Sequence, residues 1–181
     1  PGDDAPRAVL TDWLLAQGDP RGELMALQRA GRPLTPKEAK RVAALQKKHE
    51  KKWVGSLGRA LKKGSAVFRE GVLREAELQV WGTLADLPLE DEPQLATLEV
   101  LHLEGGTNLP LARLLSSAPR FRSLRSLTAK PWVLAGASVP LLNGLESLGI
   151  IEDFGHEKTA LDVLKRARLP RLRTLRLLGN F

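Results

Sequence analysis

Residues 95–103 read Leu-Ala-Thr-Leu-Glu-Val-Leu-His-Leu, and this stretch decides the fold because its apolar residues follow the spacing L-x-x-L-x-x-L-x-L. The terminal L-x-L has the period of two that places both side chains on one face of a short strand. The leucines before it, three residues apart, indicate a packed turn leading into that strand. The spacing recurs at 121–129, 142–150 and 169–177 with Phe, Ile or Ala substitutes, and a weaker copy lies at 73–78.

The copies recur at an interval typical of leucine-rich repeats. With the next-to-last anchor of each copy as the phase marker, the markers are Ala76, Leu101, Leu127, Leu148 and Leu175. Every interval between them lies within the roughly 20–29 residues of such repeats. An ordinary α/β domain with many leucines is the alternative. It is disfavoured because three of the four full copies carry a proline two residues before the first anchor.

The segments between the strands predict the connections. Residues 109–117 and 157–167 favour helices, whereas 131–139 is too short for a good helix and predicts an irregular crossover. Strands that alternate with helices in each unit predict parallel strands stacked into a curved sheet.

The region before the repeats predicts helices. Residues 6–17 have helical spacing of apolar residues. Gly18 suits the end of that helix, and Asp19-Pro20 suits the cap and first turn of the next one. Thr35-Pro-Lys-Glu38 has the pattern of a capping box, and it opens a helix that runs to about Trp53.

These patterns predict an α/β protein in two parts. Residues 1–65 form an all-helical N-terminal cap. Residues 66–181 form a short leucine-rich-repeat-like solenoid with a curved parallel sheet of about five strands.

The helical part carries a resemblance to a known family. The segments Asp12-Trp-Leu14 and Gly18-Asp-Pro-Arg-Gly-Glu23, with Asp3-Asp-Ala-Pro-Arg7 ahead of them, resemble the repeat-companion domain found before leucine-rich-repeat arrays in large bacterial paralogue sets. The likeness covers roughly residues 3–80. It implies a bacterial protein and identifies residues 1–65 as that companion domain, but it implies no general activity. That family's usual helical lead-in is missing, so we expect an N-terminal truncation.

Residues suited to catalysis are sparse. The chain has no cysteine and three histidines. His156-Glu157 begins like a zinc-protease motif, but position 160 is alanine, so the second metal ligand is lacking. Residues 58–65 resemble a phosphate-binding loop, but the lysine precedes the glycine and a helix comes first. We therefore predict a non-enzyme with no catalytic, cofactor-binding or metal-binding residues.

Composition bounds the setting of the protein. Hydrophobic residues make up 43% and charged residues 27%, as in ordinary globular proteins. No apolar run is long enough to cross a membrane, and the chain shows no signal-peptide pattern. We expect a cytoplasmic protein without membrane association. The sequence does not indicate an oligomeric state.

The first functional hypothesis is a protein–protein scaffold that binds a polypeptide on the concave face of the sheet. Side chains that alternate with the anchors point to that face. They include Glu75, Glu77, Gln79, His102, Glu104, Thr128, Lys130, Ile151, Thr174 and Arg176. The set changes from acidic at the first strand to basic at the last, which suits a polypeptide better than a phosphate backbone. Ordinary solvated strand residues are the alternative.

The second hypothesis is nucleic-acid or other polyanion binding through the basic helix 35–53. Residues 29–63 hold 12 Lys or Arg and only two Glu. The candidate contacts are Lys40, Lys47, Lys48, Lys51 and Lys52. Lysine predominates and no stacking platform is visible, so we expect diffuse attraction rather than base recognition. A solvated helix face is the alternative.

Overall fold

The structure is a computed structural model that describes residues 5–80, 92–105, 109–116, 120–151 and 155–179. Within these ranges it contains seven α-helices and a six-stranded sheet. The chain therefore belongs to the mixed α/β class that the sequence predicts. Asp3 and Asp4, which belong to the resemblance above, lie outside the described residues.

The chain forms two compact units. The first comprises residues up to Val54 together with Phe68–Leu73. The second comprises Gly55–Val67 and the chain from Arg74 onward. The predicted boundary after residue 65 falls within Gly55–Val67, a segment that belongs to the second unit.

Three helices make up most of the first unit. They are α1 (Ala5–Ala16), α2 (Pro20–Gln28) and α3 (Pro36–Val54). The joint between α1 and α2 has the predicted chemistry. Gly18 adopts a φ of 65°, which glycine tolerates best. The Asp19 carboxylate accepts a hydrogen bond from the Arg21 amide at 2.9 Å and so caps α2.

The capping box at the start of α3 is also formed. The Thr35 amide donates to Glu38 Oε2 at 2.8 Å, and the Glu38 amide donates to Thr35 Oγ1 at 3.3 Å. Arg32 Nη2 lies 2.6 Å from Glu38 Oε1. The hydrogen bond from Arg32, followed by those from Thr35, lowers the pKa of Glu38 to about 2.

We predict that Glu38→Ala frays the N-terminus of α3 at neutral pH. The ordinary pKa of this carboxyl is 4.5 and the folded value is about 2. The ionised Glu38 carboxylate therefore stabilises the folded state fully above pH 4.5, and this stabilisation is lost as the pH falls through about 2. Amide exchange of Thr35 between pH 6 and pH 2 measures this. The wild type should lose protection on acidification, and Glu38→Ala should begin unprotected. Equal protection of Thr35 in both proteins at neutral pH would contradict the prediction.

The core of the first unit centres on Trp53. Its ring lies 5.4 Å from the Phe68 ring in an edge-on contact and 5.5 Å from the His49 ring in a stack. Leu24 and Leu45 are buried with it. On α1, by contrast, burial is confined to Thr11 and Leu14. Four large apolar residues of α1 remain exposed, namely Val9, Leu10, Trp13 and Leu15.

The sheet has six strands arranged in the order of the sequence. They are β1 (Val67–Arg69), β2 (Val72–Val80), β3 (Val100–Gly105), β4 (Ser126–Ala129), β5 (Ser147–Ile151) and β6 (Thr174–Leu178). Strands β2 to β6 are parallel. Between β1 and β2, Glu70 and Gly71 both have positive φ values, as in a two-residue hairpin turn.

The repeat spacing corresponds to the register of the sheet. Ala76 pairs with Leu101, Leu101 with Leu127, Leu127 with Leu148, and Leu148 with Leu175. These are the five phase markers. Each L-x-L or equivalent therefore lies within a strand, and the anchors of successive copies are lateral neighbours.

Short helices connect the parallel strands. They are α4 (Leu109–Ser116), α5 (Pro131–Ala135), α6 (Val139–Gly144) and α7 (Glu157–Arg166). Single 3-10 turns span Gly55–Arg59 and Pro93–Thr97. The predicted irregular crossover at 131–139 is wrong. A proline in the first turn of α5, and another in that of α6, presets the helical φ, so this stretch holds one whole short helix and the start of the next.

The end of the predicted helical cap is extended. Leu61 forms an antiparallel bridge with Leu78. The Lys62 amide donates to the Glu77 carbonyl at 2.8 Å, and the Gln79 amide donates to the Ala60 carbonyl at 2.6 Å. The all-helical segment predicted to residue 65 is therefore interrupted where the chain pairs with β2.

The anchors form most of the core of the second unit. Leu101, Leu127 and Leu148 are each 0% exposed. Buried leucine and valine side chains of the connecting helices α4 to α7 complete this core. The last copy differs, because Leu175 is 47% exposed and Leu177 is 56% exposed.

Candidate functional site

The face of the sheet opposite the anchors is called here the open face, and nine of the ten residues of the first hypothesis lie at its strand positions, whereas Lys130 directly follows β4. Its central row follows the register from Glu77 to His102, Thr128, Gly149 and Arg176. At a strand spacing of about 4.8 Å, this row is about 19 Å long. The row carries an acid at one end and a base at the other.

The acidic end of the open face is internally paired. Lys62 Nζ lies 2.6 Å from Glu77 Oε1. Gln79 Nε2 donates to Glu104 Oε2 at 2.9 Å. That hydrogen bond, helped by the charges of Lys62 and Lys130, lowers the pKa of Glu104. Glu104 therefore stays anionic as the pH falls below the usual range of a glutamate.

The centre of the open face is less accessible than the sequence predicts. Thr128 is 7% exposed, so its side chain is not available to a partner as the alternation of the strand suggested. The reason is Gly149 on the neighbouring strand. A Cβ at position 149 would lie 2.5 Å from Thr128 Oγ1, so the threonine side chain occupies the space that a larger neighbour would fill.

The far end of the open face is basic and apolar. Arg176 is exposed, and Thr174 and Ile151 are half-buried. Lys130, which follows β4, places its Nζ 5.9 Å from the centre of the Trp132 ring. Of the ten predicted residues, His102 and Arg176 are the most accessible, and Thr128 is withdrawn.

Lys62 is a residue of this face that the sequence did not reveal. It reaches Glu77 because residues 60–62 pair with β2, a contact across more than ten residues of chain that no local pattern signals. Ser65 Oγ supports the same pairing, since it accepts from the Glu77 amide at 3.2 Å and donates to the Lys62 carbonyl at 2.8 Å. The two residues fix the position of the Glu77 backbone.

The second candidate surface is the basic stripe, a run of cations along one side of α3. Residues three and four apart in sequence lie on the same side of a helix. On one side of α3 these positions hold only basic residues and Ala44. The basic residues are Lys37, Lys40, Arg41, Lys47, Lys48, Lys51 and Lys52. All seven are exposed. Arg41 forms two bonds to Glu23, at 2.5 Å and 2.6 Å. The lysines make no ion pair with any residue in the described ranges.

No family model, curated protein or solved structure matches this chain. Among the residues that the structure describes, no helix is long and apolar enough to cross a membrane. The same residues contain no group of three or more His, Cys, Asp or Glu side chains placed to hold a metal ion.

The Gly18–Glu23 motif is occupied by structural contacts. Arg21 Nη2 lies 2.8 Å from Asp19 Oδ2, and Glu23 pairs with Arg41 across to α3. The hydrogen bond from Arg21 lowers the pKa of Asp19, and the hydrogen bond from Arg41 lowers the pKa of Glu23. Each acid has its own cation, and the two pairs hold the helix ends of the first unit.

Proposed function

We propose that this chain is a non-catalytic protein–protein interaction scaffold whose polypeptide partner binds the open face of the sheet. In this proposal residues 66–181 form a short leucine-rich-repeat-like solenoid, so the open face is concave, and the preceding helices act as its companion domain. The proposal assigns no catalytic residue, cofactor or metal to the chain.

The observation that carries the proposal is the continuous register from Glu77 to Arg176. Parallel strands in sequence order present one side chain from each repeat at regular intervals. The outer positions are charged with opposite sign, and the inner ones are His102, Thr128 and Gly149. An extended surface of this kind matches the mixed polar and apolar character of protein interfaces. It is poorly matched to a phosphate backbone, which favours a continuous positive field.

Charge reversal at Glu77 and Glu104 tests the proposal. We predict that the double variant Glu77→Lys, Glu104→Lys binds its polypeptide partner at least about tenfold more weakly. Both acids lie at one end of the open face, so the reversal turns attraction of the partner's opposite charges into repulsion there. The measurement is capture from nuclease-treated lysate of the source cell, identification of the captured protein, and titration of that purified protein by calorimetry.

Asp162→Lys is the matched control. It reverses an exposed acid on α7, away from the open face. The control should bind as the wild type does. A captured protein that binds the double variant and the wild type equally would refute the placement of the site.

The basic stripe supports a second candidate function, the binding of nucleic acid or another polyanion. Its exposed lysines extend from residue 37 to residue 52, about 22 Å at 1.5 Å per residue. Helix α3 itself places no acid on this side, although Glu23 of α2 pairs with Arg41 and the charge of Lys52 helps to lower the pKa of Asp19. Lysine forms no planar fork, so the attraction would follow charge rather than sequence.

We predict that neutralising Lys47, Lys48, Lys51 and Lys52 to glutamine removes most affinity for duplex DNA. If all four lysines contact phosphates, the magnitude of the slope of log affinity against log salt should also fall by about 3.6. Fluorescence anisotropy from 50 to 200 mM salt measures both. The control replaces Lys158 and Lys165 on α7 with glutamine and should leave the slope nearly unchanged. DNA binding that does not depend on salt, or an absence of DNA binding at low salt, would refute this candidate.

A further inference from the structure

Strand β6 differs from its neighbours in how its anchors are covered. At the same register position, Leu148 is fully buried and Leu175 is about half exposed. Leu177 pairs with Ile150, which is 1% exposed, yet Leu177 is itself one of the more exposed large apolar residues. Leu178, on the other side of the strand, is exposed as well. The strand therefore presents apolar side chains to solvent on both of its faces.

The same strand is the outermost one of the sheet in the part of the chain that the structure describes. Its one strand neighbour among the described residues is β5. An edge strand offers a row of backbone N–H and C=O groups to which another extended segment can pair. Natural edges are commonly blunted by charged side chains, above all lysine, by proline or by a bulge. Thr174–Leu178 has no lysine or proline and pairs with β5 without a bulge, and Arg176 is its one charged residue.

Arginine surrounds this edge. The segment that leads into β6, and β6 itself, carry four exposed arginines, which are Arg168, Arg171, Arg173 and Arg176. Their guanidinium groups make no ion pair or hydrogen bond with any residue that the structure describes. Arginine presents a planar fork of donors that matches a carboxylate in two bonds. The edge thus combines a strand with one neighbour among the described residues, exposed leucine and unneutralised arginine.

We propose that the β6 edge binds an acidic, extended polypeptide segment, which joins the sheet as an additional strand. The partner alternates apolar residues, which lie beside Leu175 and Leu177, with acidic residues, which lie on the side of Arg176. Further acids at its end meet the arginines before β6. Addition of a strand to a sheet edge is an established mode of peptide recognition.

An acidic peptide suits this edge better than a second copy of the chain or a nucleic acid would. A second copy of the chain would place arginine against arginine, and like charges opposite each other on adjacent strands are destabilising. A nucleic acid would neutralise the arginines but would leave the leucines exposed to water. The β6 edge shares Arg176 with the open-face site, but the inference rests on the backbone, leucines and arginines of this edge and does not depend on binding at Glu77 and Glu104.

The test uses a synthetic peptide of about eight residues that alternates leucine and glutamate. We expect it to bind the intact chain. Leu177→Asp and Arg173→Glu should each weaken binding about tenfold or more. Leu161→Asp changes a leucine on α7 that is 50% exposed, and Lys158→Glu reverses a cation on the same helix. These two are the matched controls and should bind as the wild type does.

Backbone pairing gives the decisive readout. The same peptide with methylated backbone amides keeps its side chains but loses its donors, and we expect it not to bind. The β6 amides that exchange quickly in the free protein should become protected when the unmodified peptide is bound. Unweakened binding by the methylated peptide, or an equally strong alternating leucine and lysine peptide, would overturn the proposal.

Other occupants give different results. Dimerisation that rises with protein concentration and is abolished by Leu177→Asp would overturn the proposal in favour of a second copy. Duplex DNA that binds through Arg173 without dependence on Leu177 would overturn it in favour of nucleic acid. Full protection of the β6 amides in the free protein would show that the edge is already covered. Failure of the Glu77 and Glu104 prediction would leave this inference unaffected.

Discussion

Leu127→Ala is expected to destabilise the sheet unit by about 3 kcal/mol. Leu127 is fully buried and pairs on one side with Leu101 and on the other with Leu148. Truncation removes the transfer free energy of three carbon atoms and leaves a cavity. The neighbouring anchors are held in register by their own strands and cannot close that cavity.

Leu175→Ala provides a matched control at the same position of the repeat. Its side chain is about half exposed, so truncation should cost under about 1 kcal/mol. Native-state amide exchange in β3 and β5 measures the stability of this unit directly. A loss of 3 kcal/mol corresponds to a more than about 100-fold faster exchange. If the two substitutions lowered the stability equally, the burial of Leu127 would not account for its contribution to the core of the sheet unit.

The location of the strands could be predicted because the repeat signal is local. Each copy carries its own L-x-L or equivalent, and identical copies of a unit stack with their equivalent residues side by side. The phase markers chosen on spacing are therefore the residues that pair across the sheet. The capping box and the Gly18–Pro20 joint were predictable for the same reason, since their partners lie within about four residues of chain.

The features that were not predicted depend on contacts distant in sequence. Residues 60–62 pair with β2, which no local pattern indicates. Thr128 is withdrawn from the open face because the strand beside it carries Gly149. Leu175 and Leu177 have the same spacing as the buried anchors, and only the structure shows that they are exposed. The alternation within each strand thus predicted on which side of the sheet a residue lies, whereas the accessibility of each residue depended on its lateral neighbours.

The residues of the Gly18–Glu23 motif each have a structural role. Gly18 permits the turn, Asp19 caps α2, and Glu23 pairs with Arg41. Gly22 has the strictest requirement. A Cβ on Gly22 would lie 2.6 Å from the Leu15 amide nitrogen and 2.9 Å from the Leu14 carbonyl carbon. Both contacts are with backbone atoms, so no side chain can turn aside to relieve them.

We therefore predict that Gly22→Ala destabilises the helical unit by about 3 kcal/mol, although helix propensity alone would stabilise it by about 1 kcal/mol. The two effects have opposite signs, so the sign of the measured change decides which one dominates. Ala26→Gly, at an exposed position of the same helix, reports the propensity effect and should cost about 1 kcal/mol. Amide exchange within α1 and α2 measures both variants. A Gly22→Ala protein as stable as the wild type would mean that α1 and α2 do not approach as closely as the structure places them, and the packing role of the motif would fall with it.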